Sequence, residues 1–134
     1  MDSGPKLIRA PYTGLTVSDA LIGCVVYERA QGQVDVATSA AVEPLGVVVN
    51  IQPDNRLVIA GVGSFAQVVL SEDFEASDSK IFSATTGGAA AVFAPTTSVT
   101  YSVGQIVLPY EGKGDAGSVQ ECFIMPQRHE AVAE

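Results

Sequence analysis

The sequence predicts an all-β fold: a small closed or nearly closed barrel built from two similar β-rich halves, preceded by an extended N-terminal arm. Three observations predict it. Short runs of branched and aromatic residues alternate with Gly, Pro, Asn and Asp turn signals along the whole chain, as in a β domain. No long segment sustains a helical period. The order of elements also repeats, with an offset of about 55 to 61 residues that drifts through changes in loop length.

Residues 1–12 form the predicted arm. Pro5 and Pro11 forbid a stable helix there, and Leu7-Ile8-Arg9 fits an edge strand. Residues 13–125 form the predicted β domain, with halves at about 13–70 and 77–125. Thr13 to Ala20 reads as a loop or one helical turn. Leu21 to Tyr27 reads as a strand, and Gln31-Gly32-Gln33 as a turn into the half-exposed strand Val34 to Ala37. A small, polar loop leads to Pro44-Leu45-Gly46-Val47-Val48-Val49-Asn50-Ile51. Its β-branched run suits a buried strand. The leading Gly suits a close backbone approach that a side chain would block. Pro53-Asp54-Asn55 is a turn signal, so the next run, Arg56 to Ala60, is predicted to return as a hairpin. Gly61 and Gly63 interrupt the ladder and Phe65 to Leu70 resumes it within the first half.

The acidic stretch Glu72 to Asp78 is expected to be a solvated linker between the halves. Ser79-Lys80-Ile81-Phe82-Ser83 then repeats the Cys24–Tyr27 strand, and Ala89 to Ala94 repeats Val34–Ala37. Tyr101 to Pro109 repeats the Gly-led strand through Gly104, and Ser118 to Met125 returns. Residues 126–134 read as a mobile tail.

Charge and composition narrow the partners. The chain is 47% hydrophobic and only 16% charged, so part of its surface is expected to be covered by something else. Its 15 acids against 7 bases give a net charge of −8. That disfavours nucleic acid and anionic membranes, whose binding needs basic residues. No run approaches the roughly 18 apolar residues of a membrane helix. Met1 to Lys6 is polar and no apolar segment follows, so no signal peptide is expected and a reducing cytoplasm is predicted. Cys24 and Cys122 each sit in an apolar run and are expected to be buried free thiols.

No catalytic constellation emerges, and no enzyme activity, cofactor or metal is expected. His129 is the single histidine and falls in the predicted tail, away from any nucleophile motif. A zinc site would need both cysteines and a carboxylate without supporting spacing. The acidic stretch lacks a calcium-loop pattern. Gly61-Val62-Gly63 lacks a third glycine and a following helix, so it is no dinucleotide fingerprint. Most aromatics fall at strand positions and are expected in the core. Tyr12 and Tyr110 lie beside prolines, where an amphipathic ring suits an interface.

Three stretches carry a resemblance. They are Leu21-Ile22-Gly23-Cys24-Val25-Val26-Tyr27, an Ala/Thr-rich loop into Glu43-Pro44-Leu45-Gly46-Val47-Val48, and Leu57-Val58-Ile59 running on to Gly63. Together they resemble the capsid decoration (cement) proteins of tailed bacteriophages. A looser second copy with a late Gly-led strand follows, and the resemblance spans about Val17 to Met125. The second copy departs at Gly104-Gln105-Ile106, where an apolar residue usually follows the glycine. The resemblance implies a β-barrel or β-tulip domain and a structural role: binding the outside of an icosahedral head and holding neighbouring major capsid subunits together. It implies a homo-oligomer, with a trimer favoured, on the outer surface of the virion after assembly in the host cytoplasm. Lys6, Leu7, Ile8, Arg9 and Tyr12 are the candidate contact residues for capsid or neighbour. The alternative reading is a small β-barrel ligand-binding or carrier module, which needs a pocket with convergent polar groups.

Overall fold

The computed structural model describes residues 7–12, 18–52, 56–75, 81–107 and 114–132. Ten strands follow one another: β1 (Leu7–Pro11), β2 (Val25–Ala30), β3 (Gln33–Val36), β4 (Gly46–Gln52), β5 (Arg56–Ala60), β6 (Phe65–Val69), β7 (Ile81–Ala84), β8 (Ala90–Val92), β9 (Thr100–Ile106) and β10 (Val119–His129). Single 3-10 turns stand at Asp19–Leu21 and Thr86–Gly88. The all-β class expected from the alternation of strand and turn signals is the observed one.

The first five strands make one antiparallel sheet and the last five another, in the orders β1-β5-β4-β2-β3 and β6-β10-β9-β7-β8. Adding five to each strand of the first order gives the second. The registers agree as well. Val26 pairs with Gly46 and Val36, as Phe82 pairs with Gly104 and Val92. Ile59 pairs with Val48 and Ile8, as Cys122 pairs with Ile106 and Ala66. Corresponding positions lie 56 residues apart at Val26 and Phe82, 58 at Gly46 and Gly104, and 63 at Ile59 and Cys122.

Neither sheet closes into a barrel. The outermost strands of each sheet touch at one parallel bridge, Tyr12 to Val34 and Leu70 to Ala90, and no ladder extends from it. The first sheet is instead buried on both faces. One face carries Ala10, Val26, Val34, Val48, Leu57 and Ile59 in a core of its own. The other carries Val25, Val47 and Ala60, which join Val68, Phe82, Ile106 and Cys122 of the second sheet in the larger core. Burial on both faces accounts for the near-continuous apolar runs Val47-Val48-Val49 and Leu57-Val58-Ile59-Ala60. In the second sheet β6 alternates, Phe65 out, Ala66 in, Gln67 out, Val68 in, whereas β7 and β9 are buried at successive positions, Phe82 to Ala84 and Ser102 to Gly104.

Backbone contacts fix the two sheets together. Val69 N–H donates to the Gly23 carbonyl at 3.0 Å and Tyr101 N–H to the Ala40 carbonyl at 2.8 Å. The Gly-led strands enter as the sequence suggested. A Cβ on Gly46 would stand 2.1 Å from the Ala60 carbonyl oxygen, and one on Gly104 2.0 Å from that of Phe123. Only hydrogen fits at either place.

The edge strand expected over Leu7-Ile8-Arg9 is present as β1, which stands at the end of its sheet and pairs along its full length with β5, from Leu7–Ala60 to Pro11–Arg56. Three expectations are corrected. Phe65–Val69 does not complete the first half, because it pairs with β10; the second unit therefore starts near residue 65 rather than 77. Pro126 to His129 belongs to β10, and Gln127, Arg128 and His129 pair with Ser102, Tyr101 and Thr100. The strand passes Pro126 at a register shift between Ile124 and Gln127, where a missing N–H costs no ladder bond. Lastly, the acids of Glu72–Glu75 are exposed, as expected, but the stretch joins β6 to β7 within the second sheet rather than linking two halves, and it is held in place. Glu72 accepts a hydrogen bond from Val92 N–H and Asp73 from Ala116 N–H, both at 2.8 Å, while Phe74 is fully buried and exchanges two backbone bonds with Gly114. Asp78 lies outside the described residues.

Candidate functional site

Of the candidate contact residues, Leu7, Ile8 and Arg9 fall on β1 and Tyr12 directly follows it, and the alternation of the strand divides them. Ile8 and Tyr12 pack against the first core beside buried Ala10. Leu7, half exposed, and exposed Arg9 point the other way. Lys6 lies outside the described residues, as does Tyr110. β1 is the end strand of its sheet, so its outer side is an edge. The matching strand β6 shows how such an edge is used: Val69 N–H points away from β10 to reach Gly23, whereas Leu70 N–H turns to the Ser118 carbonyl on the β10 side. By the shared register, Leu7 and Arg9 correspond to Phe65 and Gln67, and their main-chain groups point outward from β1.

A second surface was not foreseen. The outer face of the second sheet is rich in apolar side chains. Phe65 is 59% exposed and its ring lies 5.1 Å from that of Phe123, its cross-strand partner. Val69 pairs with Val119 on the same face, and Glu121 with Gln67 between these pairs. Ile81, Gln105 and Met125 line one shallow depression of about 100 Å³ beside them, together with Ser102, Gly104 and Gln127. Aromatic residues were expected in the core. The polar Gln67, two positions after Phe65, was the signal that this strand turns Phe65 outward.

His129 is half buried in β10, not in a solvated tail. Its Nε2 lies 2.9 Å from Ser102 Oγ and its ring 4.2 Å from that of Phe93. A hydroxyl on an imidazole is the first bond of a nucleophile–base pair. Ser102, however, is only 1% exposed, so the pair is placed to hold β9 against β10 rather than to meet a substrate. Next to it, the buried Thr100 Oγ1 has no hydrogen-bond partner among the described residues.

The two thiols are free and buried, as expected. Burial raises both from the ordinary cysteine value. It pushes Cys122 to about 12, with the Glu121 charge adding to the rise and a backbone hydrogen bond from Ala66 opposing it. Thiols held neutral in this way are poor nucleophiles and poor metal ligands. Among the described residues, no three His, Cys, Asp or Glu side chains gather as a metal-binding set, and no helix is long and apolar enough to cross a membrane. The widest cavity described, about 300 Å³, lies between Glu28, Glu43, Pro44, Leu45, Val62 and Pro126, an apolar floor with two carboxylates at its rim.

No known protein-family model matches the chain, and no curated protein matches it.

Proposed function

We propose that this chain is a structural, non-enzymatic virion protein that binds the outside of an icosahedral phage head and stabilises contacts between major capsid subunits. It acts as a homo-oligomer, with a trimer favoured, on the outer surface of the capsid after assembly in the host cytoplasm. In this reading the two sheets are copies of one β-tulip-like unit. The equal strand orders and matching registers support that, as does the placement of Gly46 and Gly104 at the same ladder position. The stretches that carry the resemblance lie along strands of one sheet: Leu21 to Tyr27 leads into β2, Glu43 to Val48 into β4, and Leu57 to Ile59 lies in β5.

The observation that carries the reading is the edge of β1. Leu7 and Arg9 present side chains and outward main-chain groups at the end of a sheet whose two faces are already filled. A capsid segment can add a strand there, with affinity from main-chain hydrogen bonds and register from Leu7 and Arg9. Many such contacts on a lattice favour the assembled shell by mass action. With a net charge of −8, nucleic acid and anionic membranes are poor partners.

The test is co-sedimentation with undecorated, expanded heads of the parent virus on a density gradient. Removing residues 1–10 is the wrong perturbation, because Ile8 and Ala10 belong to the core. The double variant Leu7→Asp, Arg9→Glu keeps both and changes only outward side chains. The wild type should co-migrate saturably with heads and the variant should not. Equal occupancy by both would sink the β1 assignment, and no binding by the wild type to competent heads would sink the proposed function.

A second reading, a ligand-binding or carrier module, draws on the cavity of about 300 Å³ rimmed by Glu28 and Glu43. Its size reaches the lower end of small-molecule sites, and its charge favours a cationic ligand with an apolar body.

A further inference from the structure

The chain holds two cysteines and two methionines. Oxidants ordinarily meet cysteine first, because the thiolate is a strong nucleophile. Among the described sulfurs the fold reverses that competition. Cys122 is 0% exposed and Cys24 8%. Burial holds both protonated, and the Cys24 thiol donates to the Ala20 carbonyl at 3.5 Å. The rise of Cys122 from 9.0 to about 12 cuts its thiolate fraction at neutral pH about a thousandfold. A peroxide molecule must enter the core to reach either thiol, and meets it un-ionised.

Met125 is in the opposite position; Met1 lies outside the described residues. Met125 is 46% exposed and stands in the register shift of β10 between Ile124 and Gln127, where the ladder with β9 is interrupted. It lines the depression of about 100 Å³ together with Ser102, Gln105 and Gln127. The Gln127 side-chain amide donates to its sulfur at 3.8 Å, which holds the thioether beside that opening. A thioether has no proton to lose and keeps its lone pairs at any pH. Burial is the protection a fold can give it, and Met125 lacks it.

We propose that Met125 is a modification site: hydrogen peroxide converts its thioether to the sulfoxide while both cysteines stay reduced. A sulfur lone pair attacks one peroxide oxygen. The S–O bond forms as the O–O bond breaks, and the proton of the attacked oxygen passes to the departing hydroxide, which leaves as water. Sulfur loses two electrons and the peroxide gains them. The new oxygen is a stronger acceptor than the thioether, and the Gln127 amide is already in place to donate to it. The product puts a polar group on the outer face that carries Phe65 and Phe123, and sulfoxide reductases can return it to methionine. The polarity of that face then follows the redox state of one residue. The chemistry is independent of the function proposed above.

The experiment is treatment of the full chain with hydrogen peroxide at neutral pH, once folded and once in urea. Folded samples are taken while the far-UV circular dichroism spectrum is unchanged. Each sample is freed of peroxide with catalase, unfolded, alkylated with iodoacetamide to mark the remaining thiols, and digested with trypsin. Cys122 and Met125 fall in one tryptic peptide, 114–128, because Lys113 and Arg128 bound it; fragment-ion masses place each added oxygen on one residue or the other. In the folded chain the Met125 sulfoxide is expected to form at least roughly tenfold faster than either thiol is lost. In urea the order is expected to invert, because both thiols regain ordinary acidity and access. Met125→Leu keeps an apolar side chain of similar size and should take up no oxygen in that peptide while folded. Loss of either thiol ahead of Met125 in the folded chain overturns the proposal. So does a Met125 that reacts in urea but stays unoxidised in the folded chain. An order that is the same in both conditions overturns it too, because the fold would then not be what selects Met125.

Discussion

Replacing Gly104 by alanine tests the packing argument most directly. The added Cβ would sit 2.0 Å from the Phe123 carbonyl oxygen, 3.0 Å from its carbon and 3.1 Å from Ile124 Cα. A carbon–oxygen contact settles at about 3.3 Å, so β9 and β10 must part by about 1.3 Å at this point. The obstructing atoms are backbone in the longest ladder of the second sheet, and no rotamer change relieves them. Parting the strands that far takes the neighbouring N–H···O bonds beyond useful length. Two lost ladder bonds at about 1 kcal/mol each, with the strain of an overfilled site, give a destabilisation of about 3 kcal/mol. That is a large share of the roughly 5–15 kcal/mol that holds a domain of ordinary stability. Gly117→Ala is the matched control. Gly117 has φ +83° and nothing within 4 Å of a Cβ, so it loses only the left-handed backbone preference, about 1 kcal/mol. Urea unfolding followed by far-UV circular dichroism reads both. A Gly104→Ala penalty no larger than that of Gly117→Ala would falsify the close-approach argument. Gly46→Ala, at 2.1 Å from the Ala60 carbonyl oxygen, should behave like Gly104→Ala.

Three further predictions follow from side chains. The Cys122 thiol is raised from 9.0 to about 12, so between those values the folded state holds a proton that the unfolded state releases. Stability is therefore fully present below about pH 9 and falls as pH rises toward 12; at pH 10.5 the loss is about 2 kcal/mol, and a Cys122→Ala variant should show a flatter pH slope in the same urea titration. Glu72→Ala and Asp73→Ala should each cost about 1 kcal/mol, because each carboxylate accepts a backbone N–H across a loop; no loss in either would restore the solvated-linker reading. Thr100→Val removes a buried hydroxyl that has no partner among the described residues and should be neutral or stabilising by about 1 kcal/mol, whereas His129→Ala removes the Ser102 hydroxyl's partner at 2.9 Å and should cost about 1 to 2 kcal/mol. In thermal melts His129→Ala should unfold below the wild type and Thr100→Val should not.

Much of the fold was legible because local chemistry and tertiary role agree. Gly46 and Gly104 each announced a Gly-led strand, and both sit where another strand crosses at contact distance. Continuous apolar runs in β4 and β5 signalled a sheet buried on both faces, and the alternation of β6 signalled a strand with one open face. Gln105 is the clearest single case. It departs from the apolar residue expected after the glycine, and the structure gives the reason: Val47, its counterpart, lies under the second sheet while Gln105 faces outward. Assignment of strands to sheets was less legible. Phe65 to Leu70 follows the first half closely in sequence, but strand partners are set by long-range pairing that no local pattern encodes. His129 was misread for the same reason. Pro126 signals the end of a strand unless a bulge absorbs it, and that bulge depends on β9. Of the candidate contact residues, the sequence located the edge strand. It could not separate outward Leu7 and Arg9 from inward Ile8 and Tyr12 without knowing which face is filled.

The correspondence between β1 and β6 also explains a residue that composition alone leaves mute. Val69 N–H on β6 points outward and is taken by the Gly23 carbonyl, which ties the second sheet to the first. Its counterpart on β1 is Pro11, paired with Arg56 as Val69 is paired with Val119. A proline has no N–H to offer, so the same contact cannot form on the first edge. Proline at an edge is a common guard against indiscriminate strand pairing. Here it stands at the inner end of β1 and leaves only the stretch around Leu7 to Arg9 with outward donors. An added strand could therefore pair over about three residues and no further, too short for a stable sheet on its own. That limit suits a contact that is weak singly and strong only when repeated over a lattice, where neighbouring copies raise the effective concentration of every other.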